Sequence, residues 1–236
     1  MMKALLELHD VQTYIDQYHI LHDISFEVPK GEVTVLLGRN GAGKTTTLRT
    51  IMGLNPAAKG SVQYNSEDIT KLSPYKIAKK GIGYVPEDQG IFEGLTVGEN
   101  MRVAMKKENE STHERMEWVL DLFPDLKTFW KKPGGQLSGG QKQMLAIARA
   151  YMNENELLLI DEPSKGLAPI VVEKVMESIQ QMKERTTIVL VEQNFLMASR
   201  IGDQFYILDD GQTVHQGAME ELQENETLRK KYLGIA

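Results

Sequence analysis

The sequence predicts an α/β fold with a block of helices inserted into it, and three observations carry that prediction. Residues 33–37, 157–160 and 187–191 are short, near-continuous apolar runs, the pattern of parallel strands covered on both faces. The first run enters a glycine-rich loop and then a helical segment, a strand–loop–helix unit. From about residue 88 to 155 the pattern changes to helical spacing before the apolar strands resume.

Taken in order, residues 5–11 and 24–28 alternate as strands, and Pro29-Lys30-Gly31-Glu32 reads as a turn. The buried strand 33–37 follows, then the loop 38–43 and a helix over 44–52, stopped by Gly53 and Pro56. Residues 61–65 and 82–85 are further short strands. In the helical block, 99–105 reads as a helix and 106–111 as a polar connection. Met116, Val119, Leu120 and Phe123 share one helix face that Pro124 ends. Ser138 is placed to cap a helix reaching about Met152, with Leu145, Ala148 and Met152 on one side. Pro169 suits a first helical turn, and Val172, Val175, Ile179 and Met182 form the stripe behind it. Residues 205–208 and 212–215 flank Asp209-Asp210-Gly211 as a hairpin, and 219–233 is a charged helical tail with a solvated face. No internal repeat or low-complexity tract is visible.

Composition narrows the function classes. The chain has 236 residues, long enough for one domain or two subdomains with a sizeable core. No apolar run approaches the ~18–20 residues of a membrane-spanning helix, and mean hydropathy is −0.34. The start, Met1-Met2-Lys3-Ala4, is too short and too soon acidic for a secretory signal. With Cys 0, disulfides, thiolate metal sites and a Cys nucleophile are excluded, which fits a reducing compartment. A net charge of −6 argues against a protein that coats nucleic acid, since phosphate neutralisation needs excess cations. These features point to a soluble cytoplasmic protein.

Three motifs carry chemistry. Gly38-Arg39-Asn40-Gly41-Ala42-Gly43-Lys44-Thr45 matches G-x-x-x-x-G-K-[ST], between a buried strand and a helix. Its glycines let backbone N–H groups close on phosphate oxygens, and the helix adds the positive end of its dipole. Lys44 is expected on the β- and γ-phosphates of ATP, Thr45 on Mg²⁺, and Thr46 on phosphate. The apolar run ending in Asp161-Glu162 supplies a carboxylate for the Mg²⁺ shell in Asp161 and, in Glu162, one to polarise the attacking water. Leu137-Ser138-Gly139-Gly140-Gln141 opens a helix and forms a second anion-binding terminus. One site has no need of two γ-phosphate cradles, whereas a head-to-tail pair has, each copy's Ser138 loop closing on ATP held by the other's Lys44 loop.

With those motifs in that order, the chain resembles the ATP-binding subunit of an ABC (ATP-binding cassette) transporter over essentially its whole length. The resemblance implies a phosphate-loop nucleotidase fold, with a RecA-like core and antiparallel β subdomain (1–87 and 156–236) and an inserted helical subdomain (about 88–155). It also implies ATP hydrolysis in a two-subunit sandwich, and the helical subdomain docked under a membrane permease, with an extracytoplasmic solute-binding protein as an indirect partner and no nucleic acid. The chain would lie on the inner face of the cell membrane. Ser164-Lys165-Gly166-Leu167-Ala168 stands where the family has the D-loop that crosses the dimer interface.

Four further strings resemble the ATPases of branched-chain amino-acid uptake systems and their amide and urea relatives. These are Tyr84-Val85-Pro86-Glu87, Leu95-Thr96-Val97-Gly98-Glu99-Asn100, Leu190-Val191-Glu192-Gln193-Asn194 and Lys231-Tyr232-Leu233-Gly234. The length is similar to the shorter of the two ATPases such systems pair. By the same resemblance Glu87 replaces the Q-loop glutamine, which touches Mg²⁺ or water, and Gln193 replaces the switch histidine at the γ-phosphate. Ile15 falls where the family stacks an aromatic on adenine, which leaves Tyr14 as the candidate, although a strand there would turn it to the opposite face. Ile91, Phe92 and Leu95 are the apolar residues available to a permease helix, Phe92 first among them. Two other classes compete. Non-transport ABC ATPases carry coiled coils or tandem cassettes that this chain lacks, and a phosphate-loop kinase has no place for the Ser138 pentapeptide.

Overall fold

The computed structural model describes residues 4–234, so the expectation about the first three residues lies outside it. The apolar runs form adjacent parallel strands, β3 (Val33–Leu37), β7 (Leu157–Asp161) and β8 (Thr187–Val191), every residue of which is buried. β8 lies between β3 and β7. β6 (Ile82–Val85) and β9 (Gln204–Asp209) extend this parallel half at its two ends. β9 turns through Asp210 and Gly211 into antiparallel β10 (Gln212–Ala218), as the sequence predicts. The other half of the ten-stranded sheet is antiparallel: β1 (Ala4–Ile15), β2 (Tyr18–Pro29), β4 (Lys59–Tyr64) and the two-residue β5 (Glu67–Asp68). β1 and β2 are a long bulged hairpin, and the expected strands 5–11 and 24–28 are only the parts of it with clean alternation.

The parallel strands serve two cores because successive side chains point to opposite faces. Val33, Val35, Leu37, Leu158, Ile160, Ile188 and Leu190 face one core. That core also holds the buried sides of α3 (Val97–Ala104), α4 (Glu110–Leu122), α6 (Gly139–Tyr151) and α7 (Pro169–Lys183). Leu36, Leu157, Leu159, Val189 and Val191 face the other, with α1 (Lys44–Ile51) and the β1–β2 hairpin. Burying that much apolar surface on both faces holds the carboxyl ends of β3, β7 and β8 in fixed register, and those ends carry the motifs.

Four elements differ from the sequence reading. α2 (Pro74–Lys79) and α8 (Phe195–Ile201) are too short to show a periodic stripe, and α2 buries only Ile77. Pro124 ends α4 but opens α5 (Pro124–Thr128), its missing N–H harmless at a first turn. The tail is not one helix. Asn225 leaves helical geometry at φ −98, ψ 83 and separates α9 (Met219–Glu224) from α10 (Glu226–Leu228), which runs into a π turn over Arg229–Leu233. Among the described residues no helix is long and apolar enough to cross a membrane.

Candidate nucleotide site

The loop between β3 and α1 is shaped by glycines at two positions where any side chain would be strained. Gly38 has φ 148, and a Cβ there would lie 2.2 Å from the Leu208 carbonyl oxygen. Gly43 has φ 99, and its Cβ would sit 2.7 Å from Leu21 Cδ2. The N–H of Thr47 bonds the Gly43 carbonyl at 2.8 Å, so the N–H groups of Lys44, Thr45 and Thr46 have no acceptor within the helix. Lys44 is buried and its ammonium closes the loop on itself, donating to the Gly38 carbonyl at 2.9 Å and the Arg39 carbonyl at 3.1 Å. Burial pushes its pKa down, against the opposing pull of Glu162 and Asp161. A cation that has only neutral carbonyls and a carboxylate 3.7 Å away is available to phosphate.

Asp161 ends β7 with no exposed surface. Its Oδ1 accepts from Thr45 Oγ1 at 3.1 Å and its Oδ2 from the Tyr84 hydroxyl at 3.5 Å. Burial raises its carboxyl to about 6, the Thr45 bond opposes this, and the charges of Glu162 and Glu87 add to it. Between the ordinary aspartate value and about 6, the folded state holds more proton than the unfolded one. The stability contributed by this group is therefore lost as pH rises through that window. Asp161→Asn is expected to melt higher than the parent at pH 7.5, with the difference shrinking toward pH 5. Parallel pH dependence in the two chains would place the carboxyl at its ordinary value.

Glu162 follows in the left-handed region at φ 44, its N–H tied to the Val191 carbonyl at 2.9 Å. This turn swings its carboxylate off the strand line into the cleft. Its Oε1 accepts from Gln193 Nε2 at 2.6 Å, and its Oε2 lies 3.4 Å from Lys165 Nζ. Gln193 Nε2 also donates to the Asn40 side-chain oxygen, which links the phosphate loop to Glu162. Two residues here carry more than the sequence assigned them. Glu192, buried, accepts the N–H groups of Ser164, Gln193 and Asn194, each at 3.0 Å, and so sets the loops on either side of Glu162. Its signal was a lone charge at the end of an all-apolar strand. Tyr84, quoted only within a family string, holds Asp161.

Ile15, Ile20, Asn40, Gly41, Gly43, Lys44, Thr45, Thr46, Glu87, Glu162 and Lys165 line a cleft of about 310 Å³. Tyr14 is not among them. β1 turns it to the other side, where its ring stacks on His19 at 4.2 Å, and Ile15 faces the cleft instead. Tyr14, expected at adenine, therefore does not line this cleft, and Ile15 and Ile20 form its apolar wall. Gly38, Arg39 and Ala42 shape the loop from behind this lining.

The Ser138 loop lies outside the cleft of its own chain. Ser138 Oγ accepts from the Gln141 N–H at 3.3 Å, and Gln141 Oε1 accepts from the Ser138 N–H at 3.0 Å, a reciprocal cap on α6. Gly139 is exposed, whereas a Cβ on Gly140 would collide with Val171 Cγ1 at 2.4 Å. Phe92 is 46% exposed under the Arg149 guanidinium, while Ile91 packs on the core.

No group of three or more His, Cys, Asp or Glu among the described residues forms a protein-only metal cage. The donor set fits Mg²⁺ all the same, because that ion is held by one or two protein oxygens together with substrate phosphates. The oxygens available for it are Thr45 Oγ and the buried Asp161 carboxylate, which meet at 3.1 Å beside the phosphate loop.

Residues 21–165 match the family model described as ABC transporter. The chain is 42% identical over 232 residues to the high-affinity branched-chain amino acid transport ATP-binding protein BraG of Pseudomonas aeruginosa, covering 98% of this chain and 100% of that one. It is 38% identical to the probable branched-chain amino acid transport ATP-binding protein LivF of Archaeoglobus fulgidus, covering 93% and 94%. A bacterial ABC transporter cassette solved as a dimer superposes with a TM-score of 0.80 at 25% identity, covering 91% of this chain and 98% of that one. The same cassette was also solved as a post-hydrolysis dimer with ADP and Pi.

Proposed function

The chain belongs to the ATP-binding cassettes of ABC transporters, and from that premise we propose how it works as the ATPase of a branched-chain amino-acid importer. Cassettes of this family hydrolyse ATP and work as dimers. The reading rests above all on one observation, the meeting of Lys44 with the adjacent pair Asp161 and Glu162, brought together from two distant parts of the chain.

The phosphate loop and Lys44 bind the triphosphate, Lys44 leaving its carbonyls for phosphate oxygens. Thr45 and Asp161 would hold Mg²⁺, which would supply Lewis-acid stabilisation of the phosphate charge. Glu162 orients water and receives its proton; Gln193, bridging Asn40 and Glu162, keeps that carboxylate aimed. Glu87 faces the same cleft and completes the acidic side. Ser138, Gly139 and Gly140 of a second cassette, another copy or a sister ATPase, close over the γ-phosphate. Gln141 acts behind them through the cap. Hydrolysis removes the bridging group and the pair opens, a ligand switch on a two-state interface.

The helical segment 88–155, with Phe92 exposed, carries that motion to a permease, and the chain sits peripherally on the cytoplasmic face of the membrane. Proteoliposomes holding the co-purified permease and its solute-binding protein are expected to accumulate leucine only with internal ATP. Uptake of amides or urea but not leucine would contradict the substrate assignment.

A further inference from the structure

The loop after Glu162 carries a cation whose position is set by the fold. The Lys165 N–H closes a turn on the Glu162 carbonyl at 3.1 Å, Ser164 is pinned to buried Glu192, and Gly166 completes the bend at φ 71. The bend returns the Lys165 ammonium over the cleft it lines. There it lies 2.5 Å from Glu87 Oε1, 78 residues away in sequence, and 3.4 Å from Glu162 Oε2. Asp161, Glu162 and Glu87 place three carboxylates around one small volume. Lys44 sits 3.7 Å from Glu162, and phosphate will claim it. A carboxylate at position 87 in place of a neutral amide adds repulsion that something must offset.

We propose that Lys165 is a positioning residue for hydrolysis, pairing with Glu87 so that a carboxylate can stand at the Mg²⁺ side of the cleft while Glu162 stays aimed at water. Without this cation, Glu87 and Glu162 repel each other and Glu162 swings out of line. Through Lys165 the segment after β6 is also tied to the loop after β7, so a displacement of Glu87 is felt at Glu162. The assignment rests on the reading of Glu162 as the residue that activates water.

A double-mutant cycle on the full chain tests it. Lys165→Met is expected to lower kcat roughly tenfold with the KM for ATP unchanged, the scale of a lost charge-assisted hydrogen bond. In the Glu87→Gln background the same substitution is expected to cost about twofold or less, because the charge needing compensation is gone. Lys165→Arg is expected to keep most of kcat, and all variants to melt like the parent, since Lys165 is 55% exposed. An equal loss in both backgrounds, no loss in either, or a rise in KM at constant kcat would overturn the pairing. Glu162→Gln separates this from the underlying reading. Turnover lost there without coupling between 165 and 87 sinks only the pair, whereas coupling with Glu162→Gln fully active sinks the role given to Glu162.

Discussion

Glu162→Gln is expected to lower ATP turnover by on the order of 10³ while ATP still binds. The carboxylate is 8% exposed at the edge of the cleft, where Gln193 donates to it and Lys44 and Lys165 stand 3.7 and 3.4 Å away. An amide of the same shape keeps an oxygen for Gln193 but cannot take a proton from water. Binding is expected to survive, because Lys44 and the loop N–H groups are untouched and one negative charge fewer faces the triphosphate. The closed pair should therefore accumulate with ATP inside. Phosphate release and retention of labelled ATP on the same sample decide it, and near-normal release would remove Glu162 from its role.

Ser138→Arg is expected to abolish closure and to reduce turnover nearly as far, while nucleotide titration of the same chain stays near the parent value. Ser138 is exposed at the start of α6, outside its own chain's cleft, so a bulky cation is accommodated in the free subunit and collides only with a partner. Its own cost to the fold is the lost cap, about 1 kcal/mol, a small fall in melting temperature. Ser138→Ala, which loses the cap without adding bulk, separates the two effects. Normal ATP-induced closure of the Ser138→Arg chain would contradict a shared site.

What the sequence made legible was local. A glycine loop between a buried strand and a helix, a strand ending in two acids, and a Ser-Gly-Gly-Gln helix start each declare themselves within about eight residues. β3, β7, β8 and the α6 cap follow those expectations. The relations that finish the site are between segments. Tyr84 reaching Asp161, Asn40 facing Gln193, Glu192 fastening two loops and Lys165 meeting Glu87 depend on strand order and turn geometry that no single window contains. Tyr14 lies off the cleft for a register reason, since a step of one residue in β1 exchanges the cleft face for the outer one. The tail failed because Asn225 breaks a helix that composition alone favours. Short α2 and α8 bury too few side chains to leave a stripe.

The central claim is that the Lys44 cleft of one cassette is completed by the Ser138 loop of another. The measurement that tests it most directly is phosphate release per chain as a function of chain concentration at saturating ATP and Mg²⁺. A shared site predicts a rate per chain that climbs with concentration, levels off once the pair is formed, and stays near zero throughout for Ser138→Arg. A rate per chain that is constant down to the lowest concentration, and equal in the parent and Ser138→Arg, would contradict it.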